Sequence, residues 1–125
     1  AAMEDFVVPP DRLLPFMERL RDLGQALGVV FRGVRHDGAG NIHLDVLRKG
    51  FADEGDEKQK VAAFEDKACQ AAYELGGAIS GEHGIGQARK ALFAKYTDPV
   101  ELALMKAVKQ AWDPKNILNP GKIFD

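Results

Sequence analysis

The spacing of apolar residues changes several times along the chain, and each change marks an element. Phe6 to Val8 is a short apolar, β-branched run halted by Pro9-Pro10, which predicts a first strand near Asp5 to Val8. Asp11 then offers a helix N-cap. Leu13, Leu14, Met17, Leu20, Leu23 and Leu27 recur at three- and four-residue intervals, the stripe of an amphipathic helix that Gly28 can end. Val29 to Arg35 returns to strand composition. From Ile42 to Arg48 the period is two, with Ile42, Leu44 and Val46 alternating against His43, Asp45 and Leu47. With turn residues at Gly38 to Asn41, the two segments predict a hairpin. Val61, Phe64, Ala68, Ala71, Ala72 and Leu75 mark a second helix closed by Gly76-Gly77, and Ala78 to Ser80 predicts a fourth strand. The order β-α-β-β-α-β is that of an α+β, ferredoxin-like core with an antiparallel sheet. Two C-terminal helices follow, one over Gln87 to Tyr96 and one opened by Asp98-Pro99 and carrying Leu102, Leu104, Met105 and Val108. Asp113-Pro114 stops the last helix, and Asn116 to Asp125 reads as an irregular tail.

Length and charge narrow the classes. The 125 residues make a single domain, 1–125, with room for a core but not for a nucleotide-binding domain in addition. Seventeen basic and nineteen acidic side chains give a formal charge of −2, which excludes the field that nucleic acid or an anionic membrane surface would require. The mixed charge run Asp53 to Lys60 reads as a solvated loop. The single cysteine, Cys69, falls among helical alanines as buried packing, so no disulfide framework exists and a reducing, cytoplasmic setting is expected. No apolar run approaches the roughly 20 residues needed to span a bilayer, leaving only peripheral membrane association through partner subunits.

Three segments carry candidate chemistry: RHDGAGNIHLDV from Arg35, GGAISGEHGIGQARKALF from Gly76, and the terminal DPKNILNPGKIFD. His36 and His43 would face opposite sides of one straight strand, but the glycine turn between them can bring both imidazoles to one mouth of a hairpin. Glu82 and His83 lie between Gly81 and Gly84, where backbone can approach a ligand closely. Two imidazoles and a carboxylate, His36, His43 and Glu82, suit a borderline divalent metal such as Zn or Mn with open positions, and His83 then remains as a general base. A plain structural reading stands beside this one. Gly81 to Gly86 can be a tight turn into a helix, Asn41 and Asn119 turn residues, Arg89 and Lys90 a solvated helix face, and Trp112 and Phe124 packing groups.

HDGAGNIH is similar to the GHxGDGNxH segment, Ser80 to Lys90 to SGEHGIGxxK, and DPKNILNPGKIF to the closing signature of FAD-linked oxidases of the vanillyl-alcohol-oxidase type. That family includes D-lactate dehydrogenase, D-2-hydroxyglutarate dehydrogenase and the glycolate oxidase D subunit. The likeness runs from Asp5 to the end with its three motifs in order. It implies that His36, His43 and Glu82 are metal ligands, His83 the base for the substrate hydroxyl, Asn41 a substrate-facing residue and Asn119 a residue near the flavin. Ala39 stands where the family usually has an aspartate, and Arg35 where glycine usually precedes the first histidine. Family members carry an FAD-binding domain ahead of this segment, so the resemblance implies the C-terminal domain of a flavin-dependent 2-hydroxyacid dehydrogenase or oxidase. FAD is then held mainly by that partner domain, the substrate is a small 2-hydroxy acid, and the fragment alone is inactive. Ile117, Leu118, Ile123 and Phe124 are expected to pack toward the flavin domain or, without it, to form either a mobile tail or a self-associating, homo-oligomeric surface. The alternative is a stand-alone ferredoxin-like module that binds a small ligand or metal without redox activity.

Overall fold

The structure, a computed structural model, describes residues 2–35 and 40–124. His36, Asp37, Gly38 and Ala39, on which the expected hairpin mouth depends, lie outside the described residues. The chain forms two compact units, Ala1–His83 and Gly84–Asp125.

The first unit is an antiparallel sheet with two helices. Strand β1 (Ala2–Val7), helix α1 (Leu13–Leu27), strands β2 (Phe31–Arg35) and β3 (Asn41–Val46) and helix α2 (Glu54–Glu74) follow one another, and the sheet order is β1-β3-β2. Val7 then bridges Ala78 in antiparallel fashion, with both backbone hydrogen bonds made at 3.1 and 2.8 Å. The expected fourth strand is thus a single bridge on the outer edge of β1. Its position beside β1 completes the 4-1-3-2 arrangement of a split βαβ core. Gly77 explains how the chain comes so close, since a Cβ there would sit 2.2 Å from the Val7 carbonyl oxygen and 3.0 Å from that of Ala72.

The period-two pattern of β3 holds. Ile42, Leu44 and Val46 are buried beneath the helices while His43 and Asp45 occupy the opposite face. On β1 the same alternation places Phe6 with Ile42 and leaves Asp5 opposite His43. The core gathers Phe6, Phe16, Leu20, Ile42, Leu44, Phe64, Ala68, Ala72 and Ile79, with Phe6 and Phe16 meeting edge to face at 5.4 Å. Cys69 is fully buried and in no disulfide among the described residues, as expected of packing.

Local details differ from the sequence reading in ways that have physical causes. Asp11 does not cap α1; it sits in a 3-10 turn, Pro10–Arg12, and the helix begins after it without a side-chain cap. The buried line of α1 runs through Phe16, Leu20 and Gly24, with Leu14 left 69% exposed, because Gly24 packs within reach of the Val29 carbonyl and the Phe31 ring. Gly28 ends the helix at φ 70°, the left-handed conformation the sequence required. The charged run expected to be a loop is instead the first turns of α2: Asp53 accepts the Asp56 amide at 2.7 Å, and acidic residues 54, 56 and 57 crowd the positive end of the helix dipole.

The second unit holds α3 (Lys90–Tyr96) and α4 (Pro99–Trp112). Asp98 caps α4 through the Val100 and Glu101 amides, with Pro99 pre-set in the first turn. At its far end the buried Asp113 carboxylate takes the Ile117 and Leu118 amides at 3.0 and 2.9 Å and the Lys109 ammonium, which fixes the start of the tail. Lys109 also holds the Asp113 pKa below the usual carboxylate range, with the two amides adding to the effect against burial. Val100, Leu104, Val108 and Trp112 form an exposed apolar line along α4, so Trp112, expected as packing, is 85% exposed. No helix among the described residues is long and apolar enough to cross a membrane.

Gly77→Ala should destabilise the first unit by about 1–3 kcal/mol, the range for forced overpacking. Urea unfolding followed by circular dichroism measures it, and a loss below a few tenths would show that the bridge to Val7 does not constrain the chain.

Candidate active site

The solvent-facing side of the sheet supplies the site. Asp5 and His43 are direct cross-strand partners on β1 and β3, so their side chains leave the sheet on the same face. The segment after the Val7–Ala78 bridge turns over that face as Gly81, Glu82 and His83. Asp5 Oδ2 accepts all three of their backbone N–H groups, at 2.9, 2.7 and 2.8 Å. One buried carboxylate oxygen therefore fixes the direction in which two functional side chains emerge.

The result is a tight group. His43 Nε2 lies 2.9 Å from Glu82 Oε1 and 3.5 Å from Asp5 Oδ1, and the His43 and His83 rings are 4.8 Å apart. Asp5, His43 and His83 each present a ligand atom within 4.8 Å of the others. Asp5 is buried, His43 half-buried and His83 exposed, so the group opens from the sheet toward solvent. Gly81 is essential to the closeness: a Cβ there would stand 2.4 Å from Asn41 Oδ1 and 2.9 Å from Asp5 Oδ1. Asn41, the first residue of β3, thus lays its carboxamide against the turn beside Asp5.

Of the expected site residues, His43, Glu82, His83 and Asn41 come together, while His36 lies outside the described residues. Asn119 belongs to the second unit, where it is exposed on a turn with φ 46°. Sequence reasoning missed Asp5 altogether. The signal was present, since aspartate is depleted in strands and a charged group within an apolar strand needs partners to be buried.

Burial pushes the Asp5 carboxyl up, but the amides of Glu82, His83 and Gly81 and the charge of His83 outweigh it, and the group sits below its ordinary range.

A model of the C-terminal domain of FAD-linked oxidases matches residues 1–123. The chain belongs to this family. It is similar to the D-lactate dehydrogenase of Anaerostipes hadrus, 39% identical over 119 residues that cover 95% of the chain and 25% of that protein. The glycolate oxidase subunit GlcD of Bacillus subtilis is 32% identical over 126 residues, covering 98% of the chain and 26% of the relative. The D-2-hydroxyglutarate dehydrogenase of Stutzerimonas stutzeri is 37% identical over 89 residues, 71% of the chain and 19% of that protein. The chain therefore spans about a quarter or less of the length of these relatives.

The resemblance of this FAD-linked oxidase domain implies two groups, a divalent cation and a flavin. A divalent cation fits the donor set. Asp5 Oδ1 is buried without a hydrogen-bond partner among the described residues and faces His43, and the donors are imidazole nitrogen and carboxylate oxygen. For a flavin, the second unit offers the exposed carboxamide of Asn119.

The lowered Asp5 pKa has a pH consequence. Its folded pKa lies below the unfolded value of about 3.9, so its stabilisation is complete above that pH and is lost as pH falls through the folded pKa. The stability difference between wild type and Asp5→Asn should be constant above about pH 5 and shrink below about pH 4. Denaturant titrations across that window check it; a difference unchanged down to about pH 2 contradicts the assignment.

Proposed function

We propose that this chain is the substrate-side domain of a flavin-dependent dehydrogenase or oxidase acting on a small D-2-hydroxy acid. The observation that carries the reading is the convergence of His43, Glu82 and His83 on one exposed rim, set there by Asp5. The family and the relatives named for D-lactate, glycolate and D-2-hydroxyglutarate support the substrate class.

In this reading His43 and Glu82, with His36, would hold a divalent cation, Zn or Mn. Such a cation would supply Lewis acidity toward the substrate hydroxyl, and FAD held by the partner domain would supply the two-electron acceptor. His83, beside His43 and in open solvent contact, takes the hydroxyl proton on an imidazole nitrogen. With that proton removed, the O–H electron pair would form the C=O bond as the Cα–H bond breaks, and a flavin held by the partner domain would supply the acceptor for the hydride, leaving a 2-oxo acid. Asn41 would orient the substrate from the end of β3, and Asn119 would lie near the flavin. The Asp5 bonds hold Glu82 and His83 in place before substrate arrives, so no ordering of the turn is required at the moment of reaction.

Two measurements test this. In a polypeptide joining the chain to its flavin-binding domain, His83→Asn should slow flavin reduction by a D-2-hydroxy acid by about 10²- to 10⁴-fold, the range for loss of a general base. Stopped-flow loss of flavin absorbance reads the rate, and an unchanged rate overturns the role of His83. The chain by itself is expected to be colourless and to oxidise no 2-hydroxy acid. A yellow preparation that retains flavin after extensive washing would contradict a flavin site built mainly by the partner domain.

A further inference from the structure

The two oxygens of Asp5 have unequal surroundings. Oδ2 is saturated by three amides, whereas Oδ1, in a residue only 2% exposed, makes no hydrogen bond among the described residues. A buried carboxylate oxygen left without a donor is costly, and its neighbours show what could satisfy it. Oδ1 stands 3.5 Å from His43 Nε2. Two atoms bound at 2.0–2.2 Å to one tetrahedral cation are separated by about 3.3–3.6 Å. Asp5 Oδ1 and His43 Nε2 are therefore already spaced as neighbouring ligands.

Two further features keep Oδ1 available. The amides on Oδ2 lock the carboxylate plane, so Oδ1 cannot swing away to another partner. Gly81 leaves the space in front of it open, since a Cβ would approach Oδ1 to 2.9 Å.

We propose that Asp5 is a direct ligand of the cation, with Oδ2 holding the Gly81–His83 turn and Oδ1 completing the coordination begun by His43. The inference rests on the reading of His43 and Glu82 as a cation site. It adds a hard, buried oxygen from the first strand to a nitrogen-containing set, a combination suited to Zn²⁺, Mn²⁺ or Co²⁺.

The test uses the full chain labelled with ¹³C and ¹⁵N and titrated with Zn²⁺. The Asp5 carboxylate carbon and the His43 Nε2 resonance should move in the same stoichiometric step. If His43 moves and Asp5 does not, Asp5 is no ligand while the cation site stands. If neither moves, the cation site itself fails and Asp5 with it. Calorimetry on Asp5→Asn supplies the second arm: a carboxamide oxygen can still accept the three amides, but the NH₂ replacing Oδ1 cannot ligate. Zn²⁺ affinity should fall at least tenfold while the Gly81, Glu82 and His83 amide shifts stay near their wild-type positions. Equal affinity in wild type and variant overturns the proposal, and the wild-type titration decides the matter if the variant does not fold.

Discussion

The contact of one carboxylate oxygen with three successive amides determines what the rest of the first unit can do. Gly81, Glu82 and His83 follow an edge bridge only one residue pair long, too little pairing to fix a turn. Asp5 provides what the missing strand would have provided, a set of acceptors for backbone N–H groups. The bonds are charge-assisted, so they are stronger than the ladder bonds they replace. Removing that carboxylate would free the turn, and with it the positions of Glu82 and His83 relative to His43.

The core exists to hold Asp5 and His43 in register. Strand alternation sends Phe6, Ile42 and Leu44 beneath α1 and α2, and the same alternation sends Asp5 and His43 outward as a cross-strand pair. A one-residue slip would bury the histidine and expose the isoleucine and leucine, so the apolar face enforces the geometry of the polar one. The second unit repeats the device at a different place. Asp113 collects the Ile117 and Leu118 amides and the Lys109 ammonium, and so fixes the start of the segment that carries Asn119. In both units a buried aspartate positions the parts of the family motifs that lie outside regular secondary structure.

The sequence made the elements and the alternating strand legible because periodicity reports directly on a buried face. Gly28 as a helix end and Asp98-Pro99 as a helix start were equally readable, since each rests on local backbone chemistry. Asp11 and the charge run at Asp53 differ from the sequence reading for a shared reason: helix caps and loops have similar composition. The fourth strand was overestimated because Ala78 to Ser80 has strand composition but a single pairing partner. For the site, His43, Glu82, His83 and Asn41 stood out by residue type and glycine context. Asp5 did not, because its role depends on contacts with residues 76 to 78 positions away in sequence. Long-range contacts of that kind leave no spacing pattern to read.

Amide hydrogen exchange at Gly81, Glu82 and His83 measures the central constraint most directly. These three N–H groups lie in an otherwise irregular, exposed segment, where unbonded amides exchange rapidly. All three should be protected in the wild-type chain and should lose protection together in Asp5→Ala, while the β3 amides of Ile42 and Leu44 remain slow. Rapid exchange of the three amides in the wild-type chain, or protection that survives removal of the Asp5 carboxylate, would contradict the claim that this side chain holds the site together.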